Sequence, residues 1–158
     1  MSVTIEISTG CEGWHRILGA EMIAHRAALA AFDAAGISEG EASIMLCDDA
    51  RIRELNRDFR KKDSATNVLS FPSNEMHNGV RFYGDVALAF ETLVREAREE
   101  GKRVDAHLTH LTAHGVLHLL GFDHENEEDA EKMESAETKI LAKLGFPDPY
   151  AARAEAGA

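Results

Sequence analysis

Three histidines fall inside one eleven-residue stretch of this chain, HGVLHLLGFDH at residues 114–124: His114, His118 and His124. His114 and His118 are four apart, a spacing that stacks both imidazoles on one face of a helix, one turn apart. Gly121 follows, and glycine is the usual residue just past a helix end, where the chain turns left-handed. Such a turn can swing His124 back toward the first two rings. Three neutral imidazoles converging on one point suit a zinc-like divalent ion with one coordination position left open. A water in that position has its pKa lowered toward about 7, which makes hydroxide available near neutral pH. Any one of these histidines alone would be a packed or surface group. The pair, the helix-stopping glycine and the third ring together point to a metal.

The positions also match the zinc-protease spacing H-E-x-x-H-x-x-G-x-x-H, with one difference. Where that pattern carries its general base, Glu, this chain has Gly115. Glycine cannot take a proton from water, so the metal cage of a peptidase is present without its base.

The stretch resembles the signature of the YbeY family, H-G-x-L-H-L-x-G-[YF]-D-H, with no departure from His114 to His124. A second block, LNRDFRKKDSATNVLSF at residues 55–71, is similar to that family's L-N-x-x-[YF]-R-x-x-D-x-x-T-[DN]-V-L-S-F, and Ala65 stands where the family has Pro. Gly84-Asp85 and the closing LGFPDPY at 144–150 add to the likeness. The resemblance implies a metal-dependent, single-strand-specific endoribonuclease acting in 16S ribosomal RNA 3′-end maturation and ribosome quality control. Its substrate would be single-stranded ribosomal RNA, not DNA, and its partners the ribosome or small-subunit proteins. It also implies a functional role for Arg60. A guanidinium stays protonated and offers a planar fork to the phosphoryl oxygens. From the residues alone, Arg60 would instead pair with Asp63. The alternatives to an RNA hydrolase are a metallopeptidase with an unusual base and a non-catalytic ribosome-assembly factor whose metal is structural.

Other candidates surround this set. Asp85 could act as a base through water, anchor a neighbouring group, or cap the start of a strand. Asp123 could orient a ligand imidazole through its second nitrogen or stabilise the turn. His110, one turn before His114, is a packed neighbour or an outer support for the ligands. Arg57, Lys61 and Lys62 are candidate RNA contacts. His15, His25 and His107 are expected to be structural or solvated, and His77 a solvated loop residue.

The elements that must hold these residues follow from periodicity. Residues 2–8 alternate Val3, Ile5 and Ile7 with polar neighbours, as a half-buried strand does. Residues 12–34 carry Trp14, Ile17, Leu18, Met22, Ala28, Leu29 and Phe32 at roughly helical spacing. Residues 42–48 predict a second strand, and Asp48 caps a helix over about 49–58. A short strand ends at Pro72, residues 73–83 form a loop or hairpin tip around Asn78-Gly79, and a strand follows at 86–90. Helices are expected over 91–100, 103–120 and 126–144. The third-last of these is charged, while the 103–120 helix is apolar nearly all round from Leu111 to Leu120 and so must be buried, a rigid mount for a metal site. The expectation is an α+β fold: a single domain over residues 1–150, a mixed four-stranded sheet, about five helices, and a fraying tail at 151–158.

The chain has 158 residues, 44% of them apolar and 28% charged, an ordinary soluble balance. It has no run of about eighteen apolar residues, so no membrane span is expected. The amino terminus alternates instead of showing a basic start and an apolar block, and the expected location is the cytoplasm. Cys11 and Cys47 form no CxxC pair and are expected as free thiols. The net charge of −11 is a poor global match for binding RNA, but it is uneven. Residues 51–63 hold six basic side chains against three acids, whereas 125–137 hold seven acids against Lys132. The acidic run is expected to be a solvated helix face. The basic run is equally an ordinary helix face or a patch for RNA.

Overall fold

The alternation of Val3, Ile5 and Ile7 forms strand β1 (Val3–Thr9), and the more apolar second segment forms β2 (Gly40–Cys47), parallel to it. Between them the chain makes a short 3₁₀ turn at Glu12–Arg16 and then helix α1 (Ala20–Ala34). The continuous helix expected over 12–34 is therefore broken. Gly19 takes a left-handed φ of 69° at the start of α1, and Leu18 and Met22 stand 97% and 58% exposed, outside the core. Helix α1 instead buries alanines: Ala20, Ala24, Ala27, Ala28 and Ala31. Side chains this small let a helix approach its neighbours closely.

Asp48 caps helix α2 (Asp49–Arg60), accepting from the Arg51 backbone N–H at 2.8 Å, as its residue type predicts. Strand β3 (Val68–Pro72) then ends at the proline. The next segment takes the hairpin form of the two expected: a two-residue β4 (Met76–His77) turns through Asn78-Gly79 into a ten-residue β5 (Val80–Ala89), which starts six residues before the strand expected at 86–90. Both turn residues have positive φ, 53° and 81°, the geometry that Asn-Gly accommodates in a two-residue hairpin loop. The main sheet runs β1-β2-β5-β3, mixed as expected, with β1, β2 and β5 parallel, β3 antiparallel to β5, and β4 extending the far end of β5.

Helices α3 (Phe90–Glu99), α4 (Val104–Leu119) and α5 (Glu127–Lys143) complete the chain. One face of the sheet presents Ile5, Ile44, Leu46, Val86 and Leu88 to α1, α4 and α5, which form the main core. The opposite face packs Leu69, Ala87 and Ala89 against Ile52 and Leu55 of α2. Helix α4 is buried along most of its length, as its all-round apolar composition requires. Among the described residues, no helix is long and apolar enough to cross a membrane. Cys47 is buried, Cys11 half-buried, and both are free thiols. The computed structural model describes residues 2–150, so the fraying expected at 151–158 falls outside it.

Candidate metal centre

Helix α4 brings His114 and His118 onto one face, and its end is built to return the third ring. The N–H of Gly121 donates to the His118 carbonyl at 3.2 Å and that of Phe122 to the Leu117 carbonyl at 3.0 Å. These paired bonds, with Gly121 at φ 101°, form a Schellman stop that turns the chain back. His124 then lies with its ring centroid 5.1 Å from that of His118 and 5.8 Å from that of His114. One ring nitrogen from each histidine falls within 4.8 Å of the others.

The donor set fits a divalent ion of the zinc type. His114 Nε2 and His118 Nε2 face each other at 3.2 Å. Two nitrogens bound about 2.05 Å from one tetrahedral centre stand about 3.3 Å apart, so this separation is one edge of such a site. His114 Nδ1 donates to Glu137 Oε1 at 2.7 Å, which fixes the tautomer and leaves the Nε2 lone pair facing the centre. Burial, and then the neighbouring His114 and His124, push the His118 pKa down, favouring the neutral form a metal needs.

Glu137 was not singled out from the sequence, where it belonged to an acidic run expected to face solvent. That expectation fails at this residue: Glu137 is fully buried. It also accepts from His110 Nε2 at 3.1 Å and from the Tyr150 hydroxyl at 2.6 Å. Burial pushes its pKa up, but the donors His110, His114 and Tyr150 together outweigh burial and bring it down to about 2. The carboxylate is therefore ionised at neutral pH and held from three sides. His110 thus shares this carboxylate with His114. The available sequence signal was the spacing of Glu137 from Met133, Ile140 and Leu141, which puts it on the buried stripe of α5.

The rings open into a cleft of about 690 Å³. Arg60 lines it, although α2 packs on the opposite face of the sheet. The side chain reaches round the open edge of β3, and Nη2 donates to the Ser70 carbonyl at 2.9 Å. The ion pair with Asp63 that would have given Arg60 a structural role does not form. Arg53 holds Asp63 instead, through two bonds of 2.6 and 3.2 Å. Arg81, absent from the sequence candidates, lines the same cleft. Asp123 is the only acid among the described residues of the lining, and it accepts from the His124 backbone N–H at 2.7 Å. That bond is to the turn, and the carboxylate bonded to the His114 ring is Glu137. Arg57, Lys61 and Lys62 are exposed at the end of α2, outside the lining, with Arg57 paired to Asp58 at 3.2 Å.

Asp85 does not join the site. Its neighbours Gly84 and Val86 face α4, where Leu119 and Gly115 approach them. Strand alternation therefore sends Asp85 to the opposite face, where it hydrogen-bonds Ser43 and burial pushes its pKa up. It lies within β5, so it is not a strand-start cap either. His107 is structural: it is buried and bonded to Glu96 at 3.0 Å.

At Gly115 helix α4 lies tight against the sheet. A Cβ there would lie 2.7 Å from Val86 Cγ1, 3.1 Å from Val68 Cγ2 and 3.3 Å from Ser70 Oγ. The position that carries a peptidase's glutamate thus points into the packed strands, where a side chain as large as glutamate would displace its neighbours.

Comparison with known proteins agrees with this geometry. Residues 19–145 match the model of the family described as endoribonuclease YbeY. The chain belongs to that family. A YbeY endoribonuclease of a Bradyrhizobium species is 48% identical over 158 residues, covering 95% of this chain and 94% of the relative. That of Azorhizobium caulinodans is 51% identical over 156 residues, covering 96% and 98%. The solution structure of TM1509 from Thermotoga maritima shares the fold, with a TM-score of 0.56 and 24% identity over 89% of this chain and 91% of that one.

Proposed function

We propose that this member of the YbeY family is a metal-dependent endoribonuclease that cuts single-stranded RNA, with 16S ribosomal RNA near its 3′ end as the substrate. The observation that carries this is one cleft holding both a three-histidine donor set braced by a buried carboxylate and an arginine with no carboxylate partner among the described residues. His114, His118 and His124 would hold one zinc or similar divalent ion. Such an ion, when bound, supplies positive charge to a phosphoryl oxygen and lowers the pKa of water.

The chain's own residues do the rest. Glu137 keeps the His114 ring in one tautomer and orientation. Arg60, anchored at Ser70, presents its remaining N–H donors to the phosphoryl oxygens as negative charge builds there during attack by water or the neighbouring 2′-hydroxyl. Arg57, Lys61 and Lys62, beyond the cleft, supply charge that draws an RNA strand toward it. A cleft of about 690 Å³ is sized for a few unstacked nucleotide groups, in keeping with the single-strand preference. Residues 1–150 act as one hydrolase domain, working in the cytoplasm with the ribosome or its small-subunit proteins.

The test is incubation of purified protein of known metal content with single-stranded RNA, duplex RNA and casein. Single-stranded RNA is cut, chelation stops the cutting and added zinc restores it. Analysis of the new ends identifies the nucleophile, since attack by the 2′-hydroxyl leaves a cyclic phosphate. Casein cleavage with intact RNA would overturn the proposal in favour of a peptidase. Binding of ribosomal particles without any RNA cleavage would leave an assembly factor with a structural metal.

A further inference from the structure

Strand β5 contains an extra residue. Its pairing with β2 passes from Glu41–Phe82 to Ser43–Asp85, so three steps on β5 oppose two on β2. The bulge centres on Gly84, at φ 133°, where a Cβ would strike the Phe71 carbonyl oxygen. No other residue fits there. Past the bulge toward the hairpin, side-chain alternation is reversed. Without it, Arg81 would share a face with Asp85 and Ala87, away from α4. With it, Tyr83 packs on Phe32 of α1 at 5.5 Å between ring centroids, and Arg81 comes round to line the cleft beside the three histidines. Bulges re-aim side chains in this way near functional sites.

We propose that Arg81 is a second phosphate-binding point in this cleft, engaging a phosphodiester distant along the RNA strand from the one Arg60 holds. The proposal rests on the nuclease function proposed above. The side chain is prepared for such a ligand. Its Cζ lies 4.3 Å from the Tyr83 ring centroid, and Nη2 donates to Asn74 Oδ1 at 3.0 Å. A guanidinium laid on a ring that is itself packed against Phe32 gives up little freedom on binding, and most of its N–H donors remain open. It has no carboxylate partner among the described residues, in contrast to Arg51, Arg53, Arg57 and Arg103. Arg60 is tied to Ser70, which pairs with Val86, five residues along β5 from Arg81. The Arg81 guanidinium lies on Tyr83 and reaches Asn74, nearer the hairpin, so the two cations stand at different levels of the cleft. Two separated cations on the wall of one cleft define a path for a polyanionic strand across the metal centre. They also explain how a chain of net charge −11 could attract RNA locally.

The test is binding of a short, fluorescent, single-stranded 2′-O-methyl RNA to the metal-loaded protein, followed by anisotropy over a range of salt. Arg81→Ala should raise Kd about five- to tenfold at low salt and flatten the plot of log K against log salt by about 0.7, the contribution of one single-strand phosphate. Arg81→Lys should keep the slope. Asn74→Ala, which removes the bond within the hairpin and leaves the charge, should keep the slope and lose much less affinity than Arg81→Ala. A scan of neutral methylphosphonates along the strand should find one position that weakens wild-type binding and has no effect in Arg81→Ala. Equal affinity and slope in wild type and Arg81→Ala would overturn the proposal alone. An Asn74→Ala loss as large as that of Arg81→Ala would assign Arg81 to holding the hairpin and overturn it too. A wild-type protein that binds no RNA would overturn the nuclease function together with it.

Discussion

Glu137 Oε1 accepts from His114 Nδ1 at 2.7 Å, across 23 residues of chain and from a different helix. This contact ties α5 to the face of α4 that carries the histidines. It makes the acidic carboxyl-terminal helix part of the metal centre and sets the side from which His114 can bind an ion.

Replacing Glu137 with Gln should therefore weaken metal binding by about 10–100-fold, the usual effect of losing a carboxylate behind a ligand histidine. Competition with a chromogenic chelator measures this without any RNA. Glu137→Ala should in addition lower unfolding stability by about 1–3 kcal/mol, because His110 and Tyr150 lose their shared acceptor inside the protein. An unchanged metal affinity in Glu137→Gln would remove the carboxylate from the centre.

Arg60 is exposed, and its one hydrogen bond among the described residues goes to a strand-edge carbonyl. Arg60→Ala should leave stability within about 0.5 kcal/mol of wild type and metal content unaltered, while RNA cleavage falls by about 10²–10³. Full cleavage by a folded, metal-loaded Arg60→Ala protein would deny the guanidinium any part in catalysis.

Gly115→Ala sets two effects against each other. Alanine favours helix over glycine by about 1 kcal/mol, but a methyl group 2.7 Å from Val86 Cγ1, with Val68 and Ser70 close behind, overpacks the interface. Overpacking of this kind costs about 1–3 kcal/mol, so a net loss of roughly 1 kcal/mol is expected. Urea denaturation with an unchanged m-value reads it. Greater stability in the variant would mean that the helix-to-sheet contact is looser than the distances state.

His107 gives a pH dependence whose sign can be worked out. Burial lowers its pKa below 6.5, against the opposing pull of Glu96. As pH falls below about 6.5, the unfolded chain takes up this proton while the folded protein resists it. The unfolded state then binds more protons, so stability decreases with falling pH until the depressed folded pKa is passed. Wild type should lose more of its urea midpoint than His107→Asn between pH about 7.5 and about 5.5. Equal losses in the two proteins would mean that His107 titrates normally.

Local patterns were legible where one segment supplies all the physics. The i, i+4 histidines, the Gly121 stop, the Asp48 cap and the apolar circumference of α4 each depend on neighbours within a turn or two. Leu18 and Met22 were misjudged because the positive-φ Gly19 lies between them, separating the 3₁₀ turn from α1 and resetting the helix phase. Arg81 was not singled out because the bulge at Gly84 inverts which face the hairpin half of β5 presents, and a bulge is defined by pairing with another strand.

The chain's own order of residues was enough to specify three imidazoles on a buried helix and a left-handed turn, because helix period and glycine's freedom are local properties. Which carboxylate stands behind His114, which arginines reach the cleft, and why a Glu at position 115 would displace its neighbours were decided only when α5, the β3 edge and the β5 bulge packed against α4. Those contacts join residues far apart in the chain, and no periodicity within a single segment encodes them.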